Sequence, residues 1–261
     1  MNQRMYGLGS RRSVIREIFE YGKKRAAEVG ADKVFDFSLG NPSVQPPQIV
    51  EDTLVGLLRE EDATALHGYT SAQGDLSVRR AIAEYIAATH GVKTDPDLIY
   101  MTCGAAASLT ITLSALCEKG DEVITFAPFF TEYRVFTETA GAKLVELASD
   151  PETFQIDFPL LEKAFTEKTA AVLVNSPNNP SGVVYSEETV KKLAALLARK
   201  SAEYGKTIYL VTDEPYRELV YGGVKVPYLT AYYKHTVVCY SYSKSLSLPG
   251  ERIGYIFVSP E

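Results

Sequence analysis

The chain has 261 residues, of which 46% are hydrophobic and 23% charged, with a formal net charge of −6. That length supports a substantial core without disulfide or metal staples, and the acidic balance argues against nucleic acid held on a basic surface. No run approaches the roughly 18 apolar residues of a membrane span, and Cys103, Cys117 and Cys239 lack the paired spacing of a disulfide framework or a CxxC zinc site. The start has no apolar signal core, so a soluble, cytoplasmic protein is expected.

In chain order, Ser13 to Val29 reads as a helix with Ser13 as N-cap and Gly30 as its stop. Pro42, Pro46 and Pro47 break the chain into a loop around Ser38–Ser43, and a second helix follows from about Gln48 to Arg59. Asp75 caps a third helix, with Leu76, Ile82, Ala83, Ile86 and Ala87 on one face and Gly91 at its end. Short β-branched runs then alternate with helical stretches. The expected strands are Leu98–Thr102, Glu122–Phe126, Lys143–Leu147, Ala170–Asn175, Thr207–Thr212, Thr236–Tyr240 and Ile253–Val258. The clearest helix runs from Glu187 to Tyr204, capped by Ser186, with Val190, Leu193, Ala194 and Leu197 inward and Gly205 at its end. This alternation predicts an α/β fold of three layers, α/β/α, around a mainly parallel seven-stranded sheet. Residues 1–47 are expected to form an N-terminal helix and loop, and 48–261 the large domain.

In such sheets, ligands collect at the carboxyl ends of the strands. Gly104-Ala105-Ala106 opens a helix directly after a strand, where small residues and the helix dipole suit an anion, although a tight strand-to-helix turn explains it equally. Lys244 follows an apolar strand among Ser241, Ser243, Gly250 and Arg252. A lysine in a partly desolvated pocket becomes an amine nucleophile, although a solvated surface lysine is the commoner case, and Arg252 can pair with a phosphate bidentately. Asp213 ends an apolar strand and needs a cationic partner, unless it merely caps the next helix. Tyr216 lies one turn on, and Asn179 sits in a turn between two prolines. A lysine, an aspartate, an anion cradle and an arginine at one rim match pyridoxal phosphate, with its aldehyde, ring nitrogen and phosphate. Cys103 reads as a small buried residue, Cys117 and Cys239 as core. His67, His90 and His235 read as structural or surface residues, and Lys23-Lys24-Arg25 as a solvated helix face.

Four motifs occur in one order along the chain: Tyr69-Thr-Ser-Ala-Gln-Gly74 with Arg79, Asn178-Asn179-Pro180-Ser181-Gly182, Asp213-Glu214-Pro215-Tyr216, and Ser241-Tyr-Ser-Lys244 continuing to Gly250-Glu-Arg252-Ile-Gly254. Together they resemble the class I/II aminotransferases, pyridoxal-phosphate enzymes of fold type I. The resemblance implies that Lys244 forms the internal aldimine and shuttles the proton, that Asp213 pairs with the pyridinium nitrogen, and that Tyr216 and Asn179 bond the phenolic oxygen. Gly104, Ala105 and Ala106 would meet the phosphate, with Ser241 and Arg252 completing the cup, and Phe130 would stack on the ring where many relatives have Trp or Tyr. Tyr69 would reach the phosphate of a neighbouring subunit, which implies a homodimer, and Gly40 would line the substrate pocket beside Asn179. Ser243 and Tyr133 are further candidates. The implied reaction moves an amino group between an L-amino acid, with aspartate or another dicarboxylic acid leading, and a 2-oxo acid such as 2-oxoglutarate. A carbon–sulfur β-lyase uses the same motifs, and a non-catalytic regulatory domain is a third reading. No nucleic-acid or membrane partner and no metal is expected. Family members continue beyond the seventh strand with an arginine for the substrate carboxylate, so the resemblance implies a substrate site that residues 1–261 do not complete.

Overall fold

A computed structural model describes residues 1, 3–10, 14–38 and 40–260. The chain divides into two compact units, Met1–Val44 and Gln45–Glu261. The first holds helices α1 (Gln3–Ser10) and α2 (Val14–Val29). The expected cap of α2, Ser13, lies outside the described residues. Gly30, at φ 101°, does end the helix run.

The second unit carries α3 (Gln48–Glu60), α4 (Ala63–Leu66), α5 (Leu76–His90), α6 (Ala105–Leu116), α7 (Glu132–Thr139), α8 (Phe158–Ala164), α9 (Glu187–Tyr204) and α10 (Tyr242–Ser245). Its strands are β1 (Ile99–Thr102), β2 (Glu122–Ala127), β3 (Lys143–Ala148), β4 (Thr169–Asn175), β5 (Tyr209–Glu214), β6 (Thr236–Ser241) and β7 (Gly254–Val258). They form one sheet in the order β1-β7-β6-β5-β4-β2-β3. Strand β7 runs antiparallel to both its neighbours, and all the other pairs are parallel.

Period-2 alternation along β4 shows how the sheet is sandwiched. Val172 and Val174 pack with Leu193, Leu197 and Leu161 of α9 and α8. Ala171 and Leu173 face the other way, onto Leu109 and Leu113 of α6 and Tyr133 of α7. Helix α5 covers β1, β6 and β7 through Ile82, Ala83 and Ile86. The arrangement is therefore α/β/α. Ser186 and Asp75 cap α9 and α5 by accepting main-chain N–H groups, and Gly205 and Gly91 end these helices in the left-handed conformation.

Two inward assignments on α5 fail. Leu76 and Ala87 are exposed, and the buried stripe is Arg79, Ile82, Ala83 and Ile86. The helix packs against an edge strand, so only a narrow stripe is covered. Arg79 fills its first position by donating to the carbonyls of Gly74 and Pro96 and pairing with Asp97. Cys103 is likewise exposed rather than buried, because it follows edge strand β1 where Gly104, at φ 87°, turns the chain. Cys117 and Cys239 are buried as expected. No helix among the described residues is long and apolar enough to cross a membrane.

Candidate active site

The carboxyl ends of β4, β5 and β6 and the start of α6 surround a cavity of about 200 Å³. Its walls include Ala105, Ala106, Phe130, Asn179, Asp213, Tyr216, Ser241, Ser243, Lys244 and Arg252. These residues span almost 150 positions of sequence, and the parallel ladder from β4 through β5 to β6 is what brings them to one rim.

Asp213 forms the floor. Strand β5 continues to Glu214, and residues 215–218 are a turn, so Asp213 lies inside the strand and caps no helix. The residue is 5% exposed. Oδ2 accepts the hydroxyl of Tyr133 at 2.6 Å, whereas Oδ1 is buried without a hydrogen-bond partner among the described residues. Burial raises this carboxyl to about 7, the Tyr133 bond opposes the rise, and the Glu214 charge adds to it. A buried carboxylate oxygen without a donor is costly, and it marks a place where a cationic N–H donor fits.

Lys244 stands on α10, whose N-cap, Ser241, accepts the Ser243 N–H and donates to Ser243 Oγ at 2.8 Å. Partial burial, and then the Arg252 charge, lower the lysine below its ordinary value. That shift favours the neutral, nucleophilic amine.

Helix α6 starts at the rim with Gly104 as its N-cap, and no side chain occupies the cap. A Cβ on Gly104 would lie 2.9 Å from Arg252 Nη2, so glycine lets the guanidinium close over the helix start. Arg252 has φ 56° and donates from Nη1 to the Pro249 carbonyl at 2.9 Å. Gly254 makes the closure possible from below. A Cβ there would collide with the Tyr240 carbonyl oxygen and fall 2.9 Å from Gly104 Cα. A helix N-terminus, a guanidinium and two serines form a cup for a phosphate-sized dianion.

Asn179 Nδ2 donates to the Tyr216 hydroxyl at 3.4 Å. Burial, together with the Asp213 charge, raises the Tyr216 phenol above its ordinary value. Phe130 meets Tyr133 edge to face at 5.7 Å. Tyr69 is fully exposed and does not line the cavity, and Gly40 belongs to the Met1–Val44 unit.

One partner had no sequence signal, and another was a candidate through the resemblance alone. Tyr133, named there without a partner, touches Asp213 across 80 residues of sequence. Asn175 reaches the Asp213 main chain, but reads in the sequence as a plain strand end. The lone acceptor on the floor, the half-buried lysine and the anion cup fit pyridoxal phosphate at its ring nitrogen, aldehyde and phosphate.

Residues 32–261 match the family model for aminotransferase class I and II. The chain is 31% identical over 228 residues to a probable aspartate/prephenate aminotransferase of Aquifex aeolicus, covering 85% of this chain and 55% of that protein. It is 30% identical to a probable aspartate aminotransferase of Methanocaldococcus jannaschii, covering 95% and 61%. Among solved structures, an amino transferase from Eubacterium rectale is 60% identical with a TM-score of 0.97, over all of this chain and 66% of that one. The aspartate aminotransferase of Thermus thermophilus with maleate gives a TM-score of 0.84 at 27% identity, over 99% and 64%. The chain therefore spans between half and two thirds of the length of these relatives. It belongs to the class I and II aminotransferases, a family of pyridoxal-phosphate-dependent enzymes.

Proposed function

We propose that this chain carries the cofactor-binding part of an enzyme that moves an amino group between an L-amino acid and a 2-oxo acid. The observation that carries this reading is the pairing, in one cavity, of an unpartnered Asp213 Oδ1 with a lysine of lowered basicity. When bound, pyridoxal phosphate supplies an aldehyde carbon and an electron-withdrawing ring.

The protein's own groups then have defined tasks. Asp213 Oδ1 would accept the ring N–H and favour its protonated form. Tyr133 holds the other carboxylate oxygen, so one oxygen alone is presented. The N–H groups of Gly104, Ala105 and Ala106, the Ser241 and Ser243 hydroxyls and the Arg252 guanidinium hold the phosphate. Phe130 flanks the ring, and Asn179 and Tyr216 donate to the phenolic oxygen. Lys244 would hold the cofactor at its aldehyde carbon. Its Nζ, when free, would take up the substrate α-proton, a task that its lowered basicity favours by leaving more of the amine neutral.

Aspartate or another dicarboxylic acid, with 2-oxoglutarate as acceptor, is the substrate pair this reading favours. The names of the Aquifex and Methanocaldococcus relatives support aspartate. Exposed Tyr69 supports a homodimer in which it reaches the neighbouring phosphate, Gly40 is assigned to the substrate side, and a cytoplasmic setting goes with small-metabolite substrates. The test is amino transfer from L-aspartate to 2-oxoglutarate by the full-length protein. Release of pyruvate and ammonia without an acceptor would instead support a β-lyase.

A further inference from the structure

Asn175 joins two parts of the site that reach it from different strands. It ends β4 opposite Asp213 of β5 and is 3% exposed. Its Nδ2 donates to the Asp213 main-chain carbonyl at 2.7 Å, and its Oδ1 accepts the Asn179 main-chain N–H at 2.6 Å. A side-chain amide supplies a donor and an acceptor from one rigid plane, and here both ends are used. The loop that follows closes on itself. Asn178 Oδ1 accepts from the Ser181 N–H and hydroxyl, and its carbonyl accepts the Gly182 N–H. Asn175 therefore seats a preformed turn against the end of β5. From that turn Asn179 points its amide toward Tyr216.

We infer that Asn175 is a positioning residue: by holding Asn179 in register with Asp213, it sets the hydrogen bond that Asn179 offers to the cofactor's phenolic oxygen. This rests on the reading of Asn179 as a donor to that oxygen. A donor there stabilises the oxygen's negative charge and lowers the pH at which the bound chromophore loses its proton. Releasing Asn179 weakens the bond and moves that midpoint up.

The experiment is a pH titration of the visible absorption of the protein reconstituted with pyridoxal phosphate. Wild type, Asn179→Ala, Asn175→Ala and the double variant are compared, with thermal melts alongside. The expected result is an upward shift of roughly half a pH unit to one unit in each single variant, with no further shift in the double variant. If Asn179→Ala shifts the midpoint and Asn175→Ala does not, or if the two shifts add, the inference is overturned and the reading of Asn179 stands. If Asn179→Ala itself leaves the midpoint in place, that underlying reading fails and takes the inference with it. A purely structural Asn175 would lower the melting temperature without moving the midpoint. Should Asn175→Ala not fold, Asn175→Ser keeps a polar group in the buried slot, cannot span both partners, and carries the same prediction.

Discussion

Tyr133 and Asp213 form a buried pair in which the phenol donates to Oδ2 at 2.6 Å and leaves Oδ1 with no partner among the described residues. The pair leaves one carboxylate oxygen to accept a donor from the cavity.

That arrangement makes the stability of the cofactor-free protein depend on pH. The folded Asp213 carboxyl is raised from 3.8 to about 7, chiefly by burial. Between these two values the folded state holds more protons than the unfolded state, so stability falls as pH rises through that window. Asp213→Asn removes the charge. It is expected to melt higher than wild type at pH 8, with the advantage fading toward pH 4. Tyr133→Phe is expected to lose about 1–3 kcal/mol at pH 8, and less at pH 5, where Asp213 is protonated. Melts of cofactor-free protein across pH 4–9 check both, and parallel profiles for all three proteins would contradict the account.

Arg252 is assigned to the phosphate. Charge-assisted hydrogen bonds contribute about 1.5–3 kcal/mol, so Arg252→Ala should weaken pyridoxal phosphate binding by about 10- to 150-fold. Pyridoxal, which lacks the phosphate, should bind almost unchanged. Equal losses for the two ligands would remove Arg252 from the cup.

Gly254 lies where β7 passes under the phosphate turn. An added methyl would meet the Tyr240 carbonyl and the Gly104 backbone. Gly254→Ala should therefore cost about 1–3 kcal/mol of stability and weaken cofactor binding by displacing Gly104. Equilibrium unfolding and cofactor titration measure the two effects. A variant as stable and as tightly binding as wild type would show that the contact relaxes freely.

Most of the scaffold was legible because it is written locally. The runs around Val172, Val211 and Val238 are β-branched, and Asp75 and Ser186 are caps with Gly91 and Gly205 as stops, signals that lie within a few residues of their effect. The motif residues from Ala105 to Arg252 were legible as a set because parallel α/β topology sends strand ends to one rim. What stayed hidden depends on distant neighbours. Nothing near Tyr133 or Asn175 announces Asp213, and nothing near Arg79 announces the carbonyls of Gly74 and Pro96 that permit its burial. Leu76, Ala87 and Cys103 misled for the same reason, since exposure at a sheet edge is set by what packs there.

The most direct test of the central claim is the visible absorption spectrum of the protein with pyridoxal phosphate, for wild type and Lys244→Ala, before and after adding an amino acid such as L-aspartate or L-glutamate. Wild type is expected to show a bound-cofactor band that borohydride reduction fixes covalently to the protein and that converts on amino-acid addition to the spectrum of the aminated cofactor, whereas Lys244→Ala shows neither the band nor the covalent attachment. A wild-type protein with no bound-cofactor band, or a band unaffected by replacing Lys244, would contradict that claim.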